Sequence, residues 1–192
     1  ASNLVKIDRE GKVIAGEYPV NTTGFVIHGA IHEARPDALC IIHSHAVHCV
    51  AVSSMQDGLL PLSQFALRFH GQTAVHEYGG GAREMDERPR LIRDLGDARV
   101  LLMRNHGVLV TGRSVAEAFF YMYYLDQACR IQVAAMSCTD RLVLPSKEIC
   151  DFTAAQQSSG TVDMSGALVL PGERDWPALR RLLDRESPGY RD

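Results

Sequence analysis

Two histidines one residue apart, His43 and His45, close an apolar run in the stretch "CIIHSHAVHCV", and His48 follows three positions later. In an extended strand alternate side chains leave on the same face, so both imidazoles can aim at one point. That geometry suits a divalent cation, because zinc takes neutral imidazole nitrogens at about 2.0–2.1 Å and catalytic sites commonly use three protein ligands plus an open position. A third ligand is then required. The candidates are His48, His106 in the turn "RNHG", and the pair His28 and His32, which share a helix face at i, i+4. His106 has the setting of a functional loop residue carried by a rigid sheet, beside Gly107, which relaxes the local backbone. The alternative is structural: hydrogen-bonded histidines at a strand end that hold no ion.

Other chemistry has less support. The run "YGGGA" lacks the Lys and Ser/Thr of a P-loop and the spacing of a dinucleotide fingerprint, so it reads as a turn. There is no G-x-S-x-G, and no cysteine forms a nucleophile motif with histidine. Tyr121, Tyr123 and Tyr124 read as packing residues. The balance of 20 Lys+Arg against 23 Asp+Glu, with no long run of either sign, excludes the electrostatic footprint of a nucleic-acid binder. The five cysteines are odd in number and never spaced C-x-x-C, as expected of reduced thiols. No apolar stretch approaches the roughly 20 residues needed to span a bilayer, and the start lacks an export signal. The expectation is a soluble cytoplasmic protein with no nucleic-acid or membrane partner.

At 192 residues and 46% hydrophobic, the chain is long enough for one domain with a substantial core. A single domain over 1–192 is expected, with a C-terminal extension over 159–192 that ends in a helix. Because the chain begins without Met and almost at once enters a strand, an N-terminal segment is expected to be missing.

The elements that position the histidines follow from periodicity. "LVKID" and "KVIAG" flank a turn containing Gly11 and read as a hairpin. Asn21, Thr22 or Thr23 can cap a helix over roughly 24–34, which Arg35-Pro36 ends because a residue before proline resists the helical region. "ALCII" is too short for a buried helix and reads as an inner strand. "AVHCVAVSSM" looks helical, "DGLLPLSQFALRFHG" irregular, and "TAVHEYGGG" a short strand entering the glycine turn. Asp86 is expected to cap a helix stopped by Gly96. "VLLM" and "VLV" are two strands about "RNHG". Ser114 and Glu117 form an S-x-x-E capping box for a long helix, apolar on more than one face, which suits packing on a sheet and against a second subunit. "SKEICDFTAAQQ" reads as helical, "SSGTVDMSGALVLPGE" as a mobile linker, and Asp175 as the cap of a last helix. Alternating strands and helices about a buried strand call for helices layered on a mixed sheet.

Three ordered blocks carry a resemblance: "GFVIHGAIHEARPDALCIIHSHAVH", "DGLLPLSQFALRF" and "RNHGVLVTGRSVAEAFFYMYYLDQACRIQ". Together, over roughly residues 3–136, they resemble the class II aldolase/adducin family, and "GFVIHGAIHEARPD" is closer to its adducin-like branch than to the sugar-phosphate aldolases. The resemblance implies a three-layer α/β/α sandwich about a central mixed, largely antiparallel sheet. It also implies a metal site of His43, His45 and His106, holding Zn2+ or else Fe2+, Mn2+ or Co2+, and assembly as a homotetramer. Its enzymes cleave or rearrange keto-sugar phosphates through a metal-stabilised enediolate, so a small hydroxy-carbonyl substrate is implied here.

This chain departs from that pattern. Where those enzymes carry an acidic residue after a Ser-Ser pair, Thr22, Thr23 and Gly24 stand, the implied substrate-binding segment without its carboxylate. Phe65 falls where the aldolase has a tyrosine acid, and neither glycine nor phenylalanine transfers a proton. His28 and His32 are the remaining candidates for that role, against a structural reading of both. Three functions follow: a metal-dependent lyase, a non-haem Fe(II) oxygenase or decarboxylase acting on a 2-oxo acid, and an adducin-like assembly module without chemistry.

Overall fold

The computed structural model describes residues 3–80, 85–158 and 160–191. The chain opens with the expected hairpin, β1 (Lys6–Ile7) against β2 (Val13–Ala15). Helix α1 (Thr22–Ala34) is capped by Asn21, whose side chain accepts from the Gly24 N–H at 3.1 Å. β3 (Cys40–Ser44), α2 (Val47–Ser53), the single turn α3 (Gln64–Leu67), β4 (Thr73–His76) and α4 (Glu87–Leu95) follow. β5 (Val100–Met103) and β6 (Gly107–Gly112) form the hairpin about "RNHG", and α5 (Val115–Cys138) is the long helix. The remainder is α6 (Lys147–Ser158), a hairpin of β7 (Thr161–Val162) and β8 (Leu168–Val169), α7 (Asp175–Glu186) and a final 3-10 turn.

Four strands form the central sheet in the order β3-β6-β5-β4. β3 with β6 and β6 with β5 are antiparallel, and β4 with β5 is parallel. Period-2 alternation sorts the sheet's side chains between two cores. On one face Leu101, Met103 and Leu109 pack with Ile27 and Ile31 of α1 and with Leu91 and Leu95 of α4. On the other Val100, Leu102, Val108 and Val110 pack with Cys49 and Val52 of α2 and with Tyr121, Leu125 and Cys129 of α5. β5 and β6 are buried throughout, as apolar strands covered on both faces must be. The result is the expected three-layer arrangement, α on either side of a mixed, largely antiparallel sheet.

Several local expectations are corrected. "ALCII" forms an edge strand rather than an inner one, since β3 pairs only with β6 among the described residues and its residues other than Ile41 are half-buried. Its apolar content serves the two helix layers, not a second neighbour. Asp86 occupies the position before α4, but its backbone is already helical and its side chain makes no capping bond. Asp175 lies inside the first turn of α7, with Arg174 before it. The expected mobile linker contains the β7–β8 hairpin, whose turn the Asp163 carboxylate organises by accepting from Ser165 N at 2.9 Å and Ala167 N at 3.2 Å. Ser159 of that stretch, and Gly81 and Ala82 of "YGGGA", lie outside the described residues. No helix among the described residues is long and apolar enough to cross a membrane.

The start of α5 is tied to the sheet by charge as well as by packing. The Ser114 hydroxyl accepts from the Glu117 N–H at 3.1 Å. Glu117 completes the cap one residue earlier than a capping box does, accepting from Arg113 N at 2.6 Å, because its buried carboxylate also meets the Arg113 and Arg99 guanidiniums at 3.0 and 3.5 Å. A Cβ on Gly112 would lie 2.6 Å from Ala118 N, so helix and strand meet with no room for a side chain. Burial works to raise the Glu117 pKa, but the bonds from Arg113 outweigh it and the carboxyl titrates below its ordinary value. A depressed folded pKa gives stability that is present above the unfolded value of about 4.3 and lost as pH falls through the folded one. Glu117→Gln should therefore cost about 2–4 kcal/mol at pH 7 by urea unfolding. Its difference from the parent protein should shrink as pH drops below about 4.

Candidate metal centre

The β3–β6 register builds the site from its two ends. His43 pairs across from Leu109 and Ser44 from Val108, which brings the end of β3 beside the β5–β6 turn that carries His106. That turn is closed by the His106 N–H donating to Met103 O at 3.1 Å, with Asn105 at φ 54, a left-handed conformation that asparagine tolerates. Gly107 is required by proximity: a Cβ there would sit 2.4 Å from Ser44 O and 3.0 Å from the His45 ring. Arg104, in the same turn, donates to the carbonyls of Met55 and, at 2.8 Å, Gln56, fixing the turn against the segment after α2.

The three imidazoles converge. Ring centroids of His43 and His45 are 4.7 Å apart, His43 and His106 4.9 Å, and His45 and His106 4.7 Å. One nitrogen from each lies within 4.8 Å of the others, and His43 Nε2 is 2.8 Å from His45 Nε2. Two imidazole nitrogens bound at about 2.05 Å stand about 2.9 Å apart at a right angle and about 3.3 Å apart at the tetrahedral angle of zinc, so these two rings would open slightly to share a zinc ion. The carbonyl of Val108 accepts from His43 Nδ1 at 3.0 Å, which places the proton on Nδ1 and leaves the Nε2 lone pair facing the cluster. Burial lowers the His43 pKa to about 4, with His106 and His45 adding to the effect. Burial lowers that of His106 as well, ahead of the influence of His45 and His76. Neutral imidazole with a free lone pair is the form a metal takes. The donor set therefore fits a divalent cation.

The other predicted residues occupy different surroundings. His48 lies on α2 and is not part of the cluster. His32 is exposed, and its Nδ1 lies 2.8 Å from Ala38 O, tying the end of α1 to the approach to β3. His28, half-buried, has its pKa lowered by burial and then by His32, and it contributes to the electrostatic environment of His43. Thr22, Thr23 and Gly24 form the first turn of α1, with the Gly24 N–H engaged by Asn21. Phe65 packs on Tyr124 with ring centroids 5.2 Å apart.

Periodicity gave no sign of the groups beside His106. His76, at the end of β4, is buried with Glu87 Oε1 2.6 Å from Nε2 and Asp94 Oδ2 2.7 Å from Nδ1. Both carboxylates come from α4, so this ring pins that helix to the sheet edge. A cleft beside His106 is lined by His76, Tyr78, Glu87 and Arg104, which bring a phenol, a carboxylate and a guanidinium next to the cluster. The available signal was a histidine in "TAVHEY" with acids eleven and eighteen residues on, a spacing that carries no periodicity of its own.

The close approach at Gly107 yields a paired prediction. Gly107→Ala should lower stability by about 2–4 kcal/mol through overpacking against Ser44, measured by denaturant unfolding. Gly71→Ala, where φ is 71 but nothing lies within 4 Å, should cost only about 1 kcal/mol.

Comparison with known proteins agrees with this architecture. The family model described as Class II Aldolase and Adducin N-terminal domain matches residues 1–133. A crystal structure of an aldolase II superfamily protein from Pseudomonas syringae superposes with a TM-score of 0.87 at 41% identity, covering 99% of this chain and 74% of that one. Alpha-adducin of Rattus norvegicus is 40% identical over 204 residues, spanning all of this chain and 27% of the relative. L-fuculose 1-phosphate aldolase from Glaciozyma antarctica PI12 superposes with a TM-score of 0.78 at 25% identity, covering 96% of this chain and 70% of that enzyme. This chain belongs to the class II aldolase and adducin N-terminal domain family.

Proposed function

We propose that this chain is a metal-dependent lyase domain acting on a small hydroxy-carbonyl compound, with His43, His45 and His106 as the ligands. The observation that carries this reading is the convergence of three half-buried or exposed imidazoles whose tautomer is set, at His43, by a backbone carbonyl. An all-imidazole donor set suits Zn2+ first, with Fe2+, Mn2+ or Co2+ as alternatives. When bound, such a cation supplies Lewis-acid stabilisation of negative charge developing on a carbonyl oxygen. The protein's own part is positional. β3 and the β5–β6 turn hold the ligands on strand ends, Tyr78 stands beside His106 as a hydroxyl, and Arg104, bonded to the carbonyls of Met55 and Gln56, holds the turn in place. Thr22, Thr23 and Gly24 are the substrate-binding segment by family position, and His28, on the same helix, is the candidate proton carrier in place of the absent carboxylate.

Support for a hydroxy-carbonyl substrate comes from the likeness to L-fuculose 1-phosphate aldolase. The adducin likeness supports a second reading, in which the fold serves assembly. One experiment separates them. Native protein purified without added metal should contain about one divalent ion per chain by elemental analysis, and His43→Ala should lose it. The loaded protein should release aldehyde from at least one member of a panel of hydroxy-carbonyl compounds and sugar phosphates, with activity reduced at least a hundredfold in His43→Ala. A metal-free native protein favours assembly, and oxygen consumption with Fe(II) and a 2-oxo acid favours the oxygenase alternative.

Homo-oligomer formation belongs to the same proposal. Along α5 the side chains of Val115, Phe119 and Tyr123 recur every four residues and are 53%, 37% and 52% exposed, an apolar stripe on the face away from the sheet. Light scattering at micromolar concentration should give a multiple of the chain mass, a tetramer by family likeness. Tyr123→Asp should shift the distribution toward monomer.

A further inference from the structure

α4 turns one face toward the end of β4, because Glu87, Arg90 and Asp94 stand at i, i+3 and i+7 and share a side of the helix. Glu87 uses both carboxylate oxygens: Oε1 meets His76 Nε2 at 2.6 Å, and Oε2 accepts from Arg90 Nη1 at 2.8 Å. Arg90 in turn donates from Nη2 to the Glu77 carbonyl at 3.3 Å, and its Nη1 lies against Gly79, where a Cβ would collide with it. The residues that follow β4 are therefore bracketed on either side of Tyr78. The His76 carbonyl also accepts from the Arg104 N–H at 2.9 Å, which joins this strand end to the turn that carries His106.

The cleft beside His106 has few polar groups to offer a substrate. His76, Tyr78, Glu87 and Arg104 line it with two glycines, Met103 and His106 itself. Both ring nitrogens of His76 are taken, by Glu87 and by Asp94 Oδ2 at 2.7 Å, and both oxygens of Glu87 are engaged. Arg104 gives its guanidinium to the carbonyls of Met55 and Gln56. Tyr78 remains. It is 57% exposed, and its hydroxyl makes no hydrogen bond among the described residues. A phenol can donate as well as accept, and it donates most strongly to an oxygen that carries negative charge.

Resting on the metal-dependent lyase reading, we infer that Tyr78 is the side chain that hydrogen-bonds a substrate oxygen beside His106, and that Glu87 is its positioning residue, acting through Arg90. Glu87 itself touches no substrate in this arrangement. It fixes Arg90, Arg90 fixes the backbone on either side of Tyr78, and the ring is held in the cleft. A misplacement of about 1 Å at such a group is enough to lose about a hundredfold in rate, so the network matters as much as the hydroxyl.

The test combines kinetics with structure. With L-fuculose 1-phosphate and the rest of the hydroxy-carbonyl panel, Tyr78→Phe should lower kcat/KM about tenfold or more while metal content stays that of the parent protein. Glu87→Gln and Arg90→Met should each lower it by a similar factor, and Arg90, whose side chain is 37% exposed, can be replaced without loss of the fold. Added to Tyr78→Phe, neither should cause a further loss, since a residue that acts through the Tyr78 hydroxyl has nothing left to position. Losses that multiply, or a Tyr78→Phe protein as active as the parent, overturn the inference. A parent protein that cleaves no member of the panel removes the lyase reading instead, and crystal structures then decide. The Tyr78 ring should line the cleft in the parent and leave it in Arg90→Met. A ring that stays beside His106 in Arg90→Met overturns the inference.

Discussion

The pairing of β3 with β6 is the constraint on which the site depends. Its antiparallel register sets His43 opposite Leu109 and Ser44 opposite Val108, and so decides that the end of one strand meets the turn at the start of the other. Two details at that meeting are backbone effects. The Val108 carbonyl chooses the tautomer of His43, and the missing Cβ of Gly107 lets the Ser44 carbonyl approach and the His45 ring swing inward. A slip of one residue would send His43 to the opposite face and dismantle the cluster, because side chains alternate strictly along a strand. β3 can be an edge strand and still hold this register, since both faces of the sheet are covered and Ile41 is buried beneath α1.

Buried charge fixes the helices that cover the sheet. Glu117 with Arg113 and Arg99 anchors the start of α5 at one end, and His76 with Glu87 and Asp94 anchors α4 at the other. Each anchor places several polar groups on a strand end, where the side chains of neighbouring elements converge. The same anchors line the surface at either end of the sheet: Glu87 and His76 stand beside His106 at one end, and Arg99 lines a cleft between α6 and the sheet at the other.

Much of the fold was legible because its signals are local. Asn21 before α1, Pro36 after it, Gly96 after α4 and Ser114 before α5 mark element ends through the chemistry of single residues, and the apolar runs of β5 and β6 announce burial on both faces. The alternation of His43 and His45 was legible for the same reason. The partner in that cluster was one of several histidines until family likeness singled out His106, because convergence across a sheet depends on register, which local pattern does not encode. His76 and its acids went unnoticed since they join β4 to α4 across eleven and eighteen residues. Capping by Asp86 and Asp175 failed where composition suited a cap but the backbone was already helical or the helix began a residue earlier. The β7–β8 hairpin was mistaken for a linker because its strands are only two residues long and its order comes from one aspartate in the turn.

Gly24 offers no carboxylate for proton transfer, so the proposed chemistry leans on the three histidines. In the proposed function the three histidines act together as a cation site. X-ray absorption spectroscopy at the metal edge of zinc-loaded protein tests that most directly. Three imidazole nitrogens at about 2.0–2.1 Å are expected, falling to two in His106→Ala. A spectrum with fewer than three imidazoles, or one unchanged by His106→Ala, would contradict it.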